Sequence, residues 1–233
     1  MNSKRRNFIR SIFEYNRIEI RDVDAGEDPF LYSTKNHGPG YVDVKGGVGV
    51  DEFFEPALDL LADIVVRDQV PLDLVIGMMT GGALPGYRLK QHLQERLGKR
   101  IVYIYQRGAR KEGGHGELDT GDRNNPFITD KCCGLVVEEL VNFAGTTTTG
   151  VLYERKKGRI VDHAACILFY KNPVAIERLK TNNITLHWAV TLPEVLDFGL
   201  REEAITQRQF DQYKAFLKNP KVWNMNRGYQ FFG

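Results

Sequence analysis

The sequence has almost no excess charge of either sign. Its 32 lysines and arginines stand against 30 acids, a formal net charge of +2. That balance excludes nucleic acid or an anionic membrane as a main partner held by electrostatics. Cysteine is scarce, and Cys132, Cys133 and Cys166 form no C-x-x-C. An odd count without metal-ligand spacing predicts reduced thiols in the cytoplasm. His92, His163 and His187 also lack such spacing, so no protein-held metal site is expected. No run approaches the ~18 apolar residues of a membrane span. The basic start is followed by a short apolar run broken at Arg10 and Glu14, which predicts no secretion signal. Internal repeats and low-complexity tracts are absent too.

What is present is an ordinary globular composition, 42% hydrophobic and 27% charged over 233 residues. One α/β domain with a small N-terminal addition is expected. Phe8, Ile9, Ile12 and Phe13 suit one face of a helix. Residues 19–50 are rich in Gly, Pro and Asp and read as an irregular cap, with extended pieces at 30–32 and 41–44. Residues 1–50 thus form an N-terminal helix and cap, and 51–233 the core. Asp51 predicts an N-cap for a helix to about Asp68. Then strands at 72–76, 101–105, 135–137, 164–169 and 184–190 alternate with helices at 84–97, 147–157 and 174–180. Such alternation means βαβ units and a doubly wound, mostly parallel sheet. A last helix is expected over 202–218, before an aromatic-rich tail. Residues 107–130 break the rhythm, with five glycines and little periodicity, and predict a mobile loop.

Two segments carry the chemistry. In Val136-Val137-Glu138-Glu139-Leu140-Val141-Asn142-Phe143-Ala144-Gly145-Thr146-Thr147, a buried strand delivers two adjacent acids to its C-terminal end. Small residues and a helix start follow. Ligands of open parallel sheets bind at that edge, and free N–H groups of a helix N-terminus favour phosphate. Acids beside a phosphate site make sense if they accept hydrogen bonds from sugar hydroxyls. The plain alternative is a strand end with solvated acids and a Thr-capped helix; the paired acids with Ala-Gly-Thr-Thr weigh against it. In Gly77-Met78-Met79-Thr80-Gly81-Gly82-Ala83-Leu84-Pro85, glycines allow backbone N–H groups to approach an anion, although strand-Gly-Gly-helix turns are common.

The first segment resembles the phosphoribosyl pyrophosphate (PRPP) signature of type I phosphoribosyltransferases. Glu139 stands where Asp is usual, and the loop is one residue longer. The second resembles that family's pyrophosphate loop. Arg110-Lys111-Glu112-Gly113-Gly114-His115-Gly116 resembles the mobile loop of the orotate branch, shorter by one residue and without its second lysine. Phe30-Leu31-Tyr32 through Tyr41-Val42-Asp43 resembles that branch's base-binding hood, with Ser33 at the family's lysine and Lys35 two residues on. Leu168-Phe169-Tyr170-Lys171 falls where the branch has an arginine that grips the orotate carboxylate. Lys171 keeps the charge without the bidentate fork. The likeness covers roughly residues 8–217.

The resemblance implies the type I phosphoribosyltransferase fold and transfer of ribose 5-phosphate from PRPP to orotate, with magnesium held mainly through PRPP. It implies Glu138 and Glu139 on the ribose hydroxyls, and Asn142, Phe143, Ala144, Gly145, Thr146 and Thr147 on the 5-phosphate. Thr80, Gly81 and Gly82 take the pyrophosphate, and Arg110, Lys111 and His115 close over it as catalytic residues. Tyr41, Val42 and Lys171 line the base pocket. A homodimer is implied, with loop 107–121 serving the neighbouring site. Two other readings stay open: a transferase for another base, and a non-catalytic PRPP-binding regulatory protein.

Overall fold

The structure, a computed structural model, describes residues 2–32, 35–107 and 118–232. Helix α1 (Ser3–Glu14) starts at Asn2, whose side chain accepts from the Arg5 N–H, and it buries Phe8, Ile9 and Ile12. The cap holds four short strands: β1 (Ile18–Ile20), β2 (Phe30–Leu31), β3 (His37–Gly38) and β4 (Gly40–Val42). β1 pairs antiparallel with β4, and β2 with β3. Helix α2 (Asp51–Arg67) follows. Val50, not Asp51, occupies its N-cap, and no side chain caps it; Asp51 and Glu52 sit in the first turn, where they favour the positive end of the helix dipole.

The core then runs β5 (Leu74–Met78), α3 (Ala83–Leu97), β6 (Val102–Gln106), β7 (Asp119–Thr120), β8 (Cys133–Val141), α4 (Gly145–Lys156), β9 (Ile160–Phe169), α5 (Pro173–Thr181) and β10 (Thr185–Thr191). Among the described residues these strands form one sheet in the order β10-β9-β8-β5-β6-β7. All neighbours are parallel except β6 and β7. The expected doubly wound sheet is therefore observed. The chain steps from β5 outward to β6, then returns to place β8 on the other side of β5. The crevice between β5 and β8, at their C-terminal ends, is the switch point where such sheets bind ligands.

Alternate strand residues serve two cores. Val75, Leu135, Val137, Ala165 and Ile167 pack with the helices α1, α2 and α3, while Leu74, Ile76, Val136, Ala164 and Cys166 pack with α4 and α5. That double burial explains the unbroken apolar run Leu135–Val137. The helix expected over 202–218 is observed as α7 (Gln207–Lys218); α6 (Leu192–Arg201), which was not expected, precedes it, and α8 (Pro220–Met225) follows. Both α6 and α7 begin with capping boxes, Thr191 with Glu194 and Thr206 with Gln209. From residue 118 on, the expected loop 107–130 is tied down: β7 pairs with Tyr105 and Gln106.

Candidate active site

The two sequence motifs meet at the switch point, around a cleft of about 570 Å³. That is the size of an ordinary small-ligand site. The loop after β5 crosses directly over the end of β8, and its glycines are required by that crossing. A β-carbon on Gly82 would fall on the Val137 carbonyl oxygen, and one on Gly81 would coincide with the Glu139 carboxylate. The Met79–Thr80 peptide bond in this loop is cis. Met79, Thr80 and Gly81 line the cleft; Gly82 packs behind them and is not part of the lining.

β8 runs past the expected 135–137 to Val141, so Glu138 and Glu139 lie within the strand near its C-terminal end. Both line the cleft. Glu138 is 8% exposed. Burial, the neighbouring Glu139 charge and a hydrogen bond to Glu139 push its carboxyl well above the usual carboxylate range. Burial beside a second acid thus favours the neutral form of Glu138.

Past β8 the chain turns through Asn142–Ala144. Ala144 has φ of 56°, a left-handed conformation at the N-cap of α4, and no side chain caps that helix. Its first-turn residues Gly145, Thr146 and Thr147 line the cleft with uncapped N–H groups, a setting that suits an anion. The turn is clamped from α5. Asn172 donates from Nδ2 to the Asn142 backbone oxygen at 2.7 Å and to its Oδ1 at 2.9 Å. Its own Oδ1 accepts from the Ala175 N–H and caps α5. Arg178 donates from Nη1 to the Phe143 oxygen at 2.9 Å and also lines the cleft.

The cap closes the other end. Tyr32, Tyr41, Val42 and Lys45 line it, with Tyr170 from the end of β9. Tyr32 donates to the Gly40 oxygen at 2.6 Å. Burial pushes the Tyr170 hydroxyl up to about 12, so it stays a neutral donor. Lys171 is not among the lining residues. With φ of 56° it turns away, and its ammonium lies 6.0 Å from the centre of the Trp188 ring. The C-terminal tail packs over the cap: Asn36 and Phe232 exchange two hydrogen bonds, His37 stacks on Tyr229, and Phe231 meets Phe143 edge-on.

Thr80, Gly81, Glu138, Glu139, residues 142–147, Tyr41 and Val42 are therefore brought together, while Gly82 and Lys171 stand outside the lining. Arg110, Lys111 and His115 lie outside the described residues. Arg178, Lys45 and Asn172 had no motif to reveal them; Tyr32 and Tyr170 lie in stretches that carry the resemblance but had no role assigned there. Only the aromatic content of the tail hinted at its docking.

No family model matches the chain. Over 214 residues it is 28% identical to an orotate phosphoribosyltransferase of Agrobacterium fabrum, covering 90% of this chain and 88% of that one. The solved orotate phosphoribosyltransferase of Aeropyrum pernix shares the fold with a TM-score of 0.63 at 24% identity, over 82% of this chain and 96% of that one. Leishmania donovani UMP synthase gives a TM-score of 0.69 at 16% identity over 91% of this chain, which spans only 42% of that longer protein. In sequence and in fold, then, the chain is similar to orotate phosphoribosyltransferases.

Proposed function

We propose that the cleft binds PRPP and transfers its ribose 5-phosphate to orotate, giving orotidine 5′-monophosphate and pyrophosphate. One observation carries the reading: at the switch point, two adjacent carboxylates, a glycine loop pressed onto one of them and an uncapped helix N-terminus face one cleft. Those are the parts needed to hold ribose hydroxyls, a pyrophosphate and a 5-phosphate at once.

Breaking the anomeric C–O bond builds positive charge on the ribose and negative charge on pyrophosphate. The acids stabilise the first by accepting the ribose hydroxyls. With Glu138 protonated the pair carries less charge, so it repels a polyphosphate less than two carboxylates would. Backbone N–H groups of Thr80 and Gly81, with Gly82 behind them, meet the second. Arg110, Lys111 and His115 close over the leaving group. At the base end, Tyr32, Tyr41, Val42 and Tyr170 wall in a planar ring. Magnesium fits as an ion carried on PRPP, since the cleft offers two adjacent carboxylates of the hard-oxygen type that ion takes. When bound it neutralises charge on the pyrophosphate.

A homodimer is part of the proposal, supported by the exposed Leu84, Tyr87, Leu97 and Phe127 on and near α3. So is a cytoplasmic setting, in keeping with three free cysteines. No helix of the described residues is long and apolar enough to cross a membrane. A second reading, transfer to another base, is favoured by the position of Lys171 away from the cleft. Incubation with PRPP, magnesium and a panel of bases tests both. Orotidine 5′-monophosphate as the main product supports the proposal. PRPP-dependent turnover of another base, with orotate inert, replaces it with the second reading. No turnover with any base removes the catalytic reading.

A further inference from the structure

Arg178 lies on α5, outside both sequence motifs, yet its guanidinium reaches the turn that precedes α4. Nη1 donates to the Phe143 oxygen at 2.9 Å and lies 3.2 Å from where a β-carbon on Gly145 would stand. The residue lines the cleft beside Thr146 and Thr147. Three other arginines that are buried or part-buried in this fold are neutralised. Arg155 pairs with Asp162, Arg96 with Asp59 and Asp63, and Arg159 with Asp119, Asp122 and Glu154. Among the described residues Arg178 has no carboxylate partner, and the Phe143 contact uses one of its five N–H donors. A cation left unpaired at a cleft wall, beside uncapped helix N–H groups, is a site for an anion from outside the protein.

We propose that Arg178 is a binding residue for the terminal phosphate monoester of the sugar substrate. The proposal rests on the transferase reading above. A helix N-terminus offers roughly half a positive charge. A phosphate monoester carries close to two negative ones. A guanidinium supplies the remainder and matches phosphate in geometry. The need is greater here because the turn is one residue longer than the pattern it resembles and is held by Asn172 and Arg178, not by a side-chain cap. Arg178 also gives the cleft a direction. It touches the 143–145 end, whereas Glu139 touches Gly81, so phosphate and sugar hydroxyls are drawn to different groups.

The test uses the full chain with Arg178→Gln and Arg178→Lys. Ribose 5-phosphate and pyrophosphate are titrated by calorimetry, and KM is measured for PRPP and for orotate. Arg178→Gln retains an N–H donor for the Phe143 oxygen but loses the charge. It should weaken ribose 5-phosphate and PRPP by about 10- to 100-fold, the range of a charge-assisted hydrogen bond. Pyrophosphate affinity, orotate KM and melting temperature should hold, and Arg178→Lys should recover part of the loss. Unchanged ribose 5-phosphate affinity in Arg178→Gln overturns the proposal and leaves the transferase reading intact. Equal loss of pyrophosphate, or a lower melting temperature with no recovery in Arg178→Lys, shows a structural prop and also overturns it. If wild type binds neither PRPP nor ribose 5-phosphate, the transferase reading fails and takes the proposal with it.

Discussion

Helix α4 has a group of buried charges at each end, and the two groups are satisfied in opposite ways. At its C-terminal end, Asp119, Asp122 and Glu154 face Lys157 and Arg159. Arg159 binds Asp119 at 3.1 Å, Asp122 at 3.0 Å and Glu154; Lys157 binds Asp119 at 2.7 Å and Asp122. Gln106 donates to both Asp119 and Glu154. Burial and the Asp119 charge push Glu154 up to about 7, so the one acid in excess can take a proton and close the balance. At the N-terminal end nothing closes. Among the described residues Glu138 and Glu139 form no ion pair with a cation, Arg178 has no carboxylate, and no side chain caps the helix. A group satisfied within the chain stabilises the fold. A group left open is completed by a ligand.

The sharpest way to break the comparison is to remove Arg159. Asp119 and Glu154 have fully buried side chains, and without Arg159 Asp119 keeps only Lys157 and Glu154 keeps no cation among the described residues. Arg159→Met should cost about 3–5 kcal/mol of stability, the usual effect of breaking a buried pair from one side. Chemical denaturation measures it. PRPP affinity per folded molecule should change little. A variant as stable as wild type means the network does not hold the fold.

The open end should respond in the reverse sense. Glu138→Gln with Glu139→Gln should lower PRPP-dependent turnover by about two to three orders of magnitude, as expected for losing two charge-assisted hydrogen bonds at the reacting sugar. Folding stability should survive. Wild-type turnover in the double variant removes the ribose assignment. The single variant Glu138→Gln should be the more stable protein at alkaline pH. A carboxyl whose pKa is raised by folding contributes most below the ordinary carboxylate range. That contribution is lost as pH rises through the folded value. Gln has no proton to lose, so the unliganded melting temperature should fall less toward alkaline pH than that of wild type. Parallel melting curves for the two proteins across pH would mean Glu138 is not held protonated.

The glycine loop gives a smaller effect that separates backbone from side chain. Gly81→Ala meets the Glu139 side chain, which can swing aside, so the protein should fold and PRPP should bind about tenfold more weakly. Gly82→Ala meets the Val137 carbonyl, which cannot move without distorting β8, so stability should fall as well. Titration of PRPP and melting temperatures of the two variants test this. Similar behaviour of the two would show that Glu139 does not pack on Gly81.

These differences track what was legible in the sequence. Periodicity revealed the alternating elements, and the two motifs were legible as ligand sites at strand ends, because strand, acid pair and glycine loop are local patterns. Helix ends were less legible: α6, which Thr191 caps with Glu194, is not anticipated from the sequence, and α7, which Thr206 caps with Gln209, starts at Gln207 and not at 202. Least legible were residues that act through packing. Arg178 and Lys45 reach the cleft from α5 and the cap, and Asn172 clamps the Asn142 turn, positions that only the folded chain brings there.

The smallest expected effect concerns the base. The resemblance puts the cation for the substrate carboxylate at Lys171, but the backbone there is left-handed and the ammonium sits over Trp188, outside the cleft. Lys45, from the short helical turn after Val44, does line the cleft near Tyr41 and Val42. An ammonium on a flexible stem is a point charge, and at an exposed site such a charge contributes about 1 kcal/mol or less, roughly a factor of five in affinity. Lys45→Ala should therefore raise the KM for orotate about fivefold with kcat and PRPP binding unchanged. Lys171→Ala should leave the orotate KM within about twofold of wild type, because a solvated charge outside the pocket is screened. Steady-state kinetics at low and high salt decides between them. A charge that touches the carboxylate gives an effect that shrinks with salt. If Lys171→Ala carries the larger rise and Lys45→Ala is silent, α5 and the turn before it must shift when the base binds, and the family's position for the carboxylate cation holds in this chain after all.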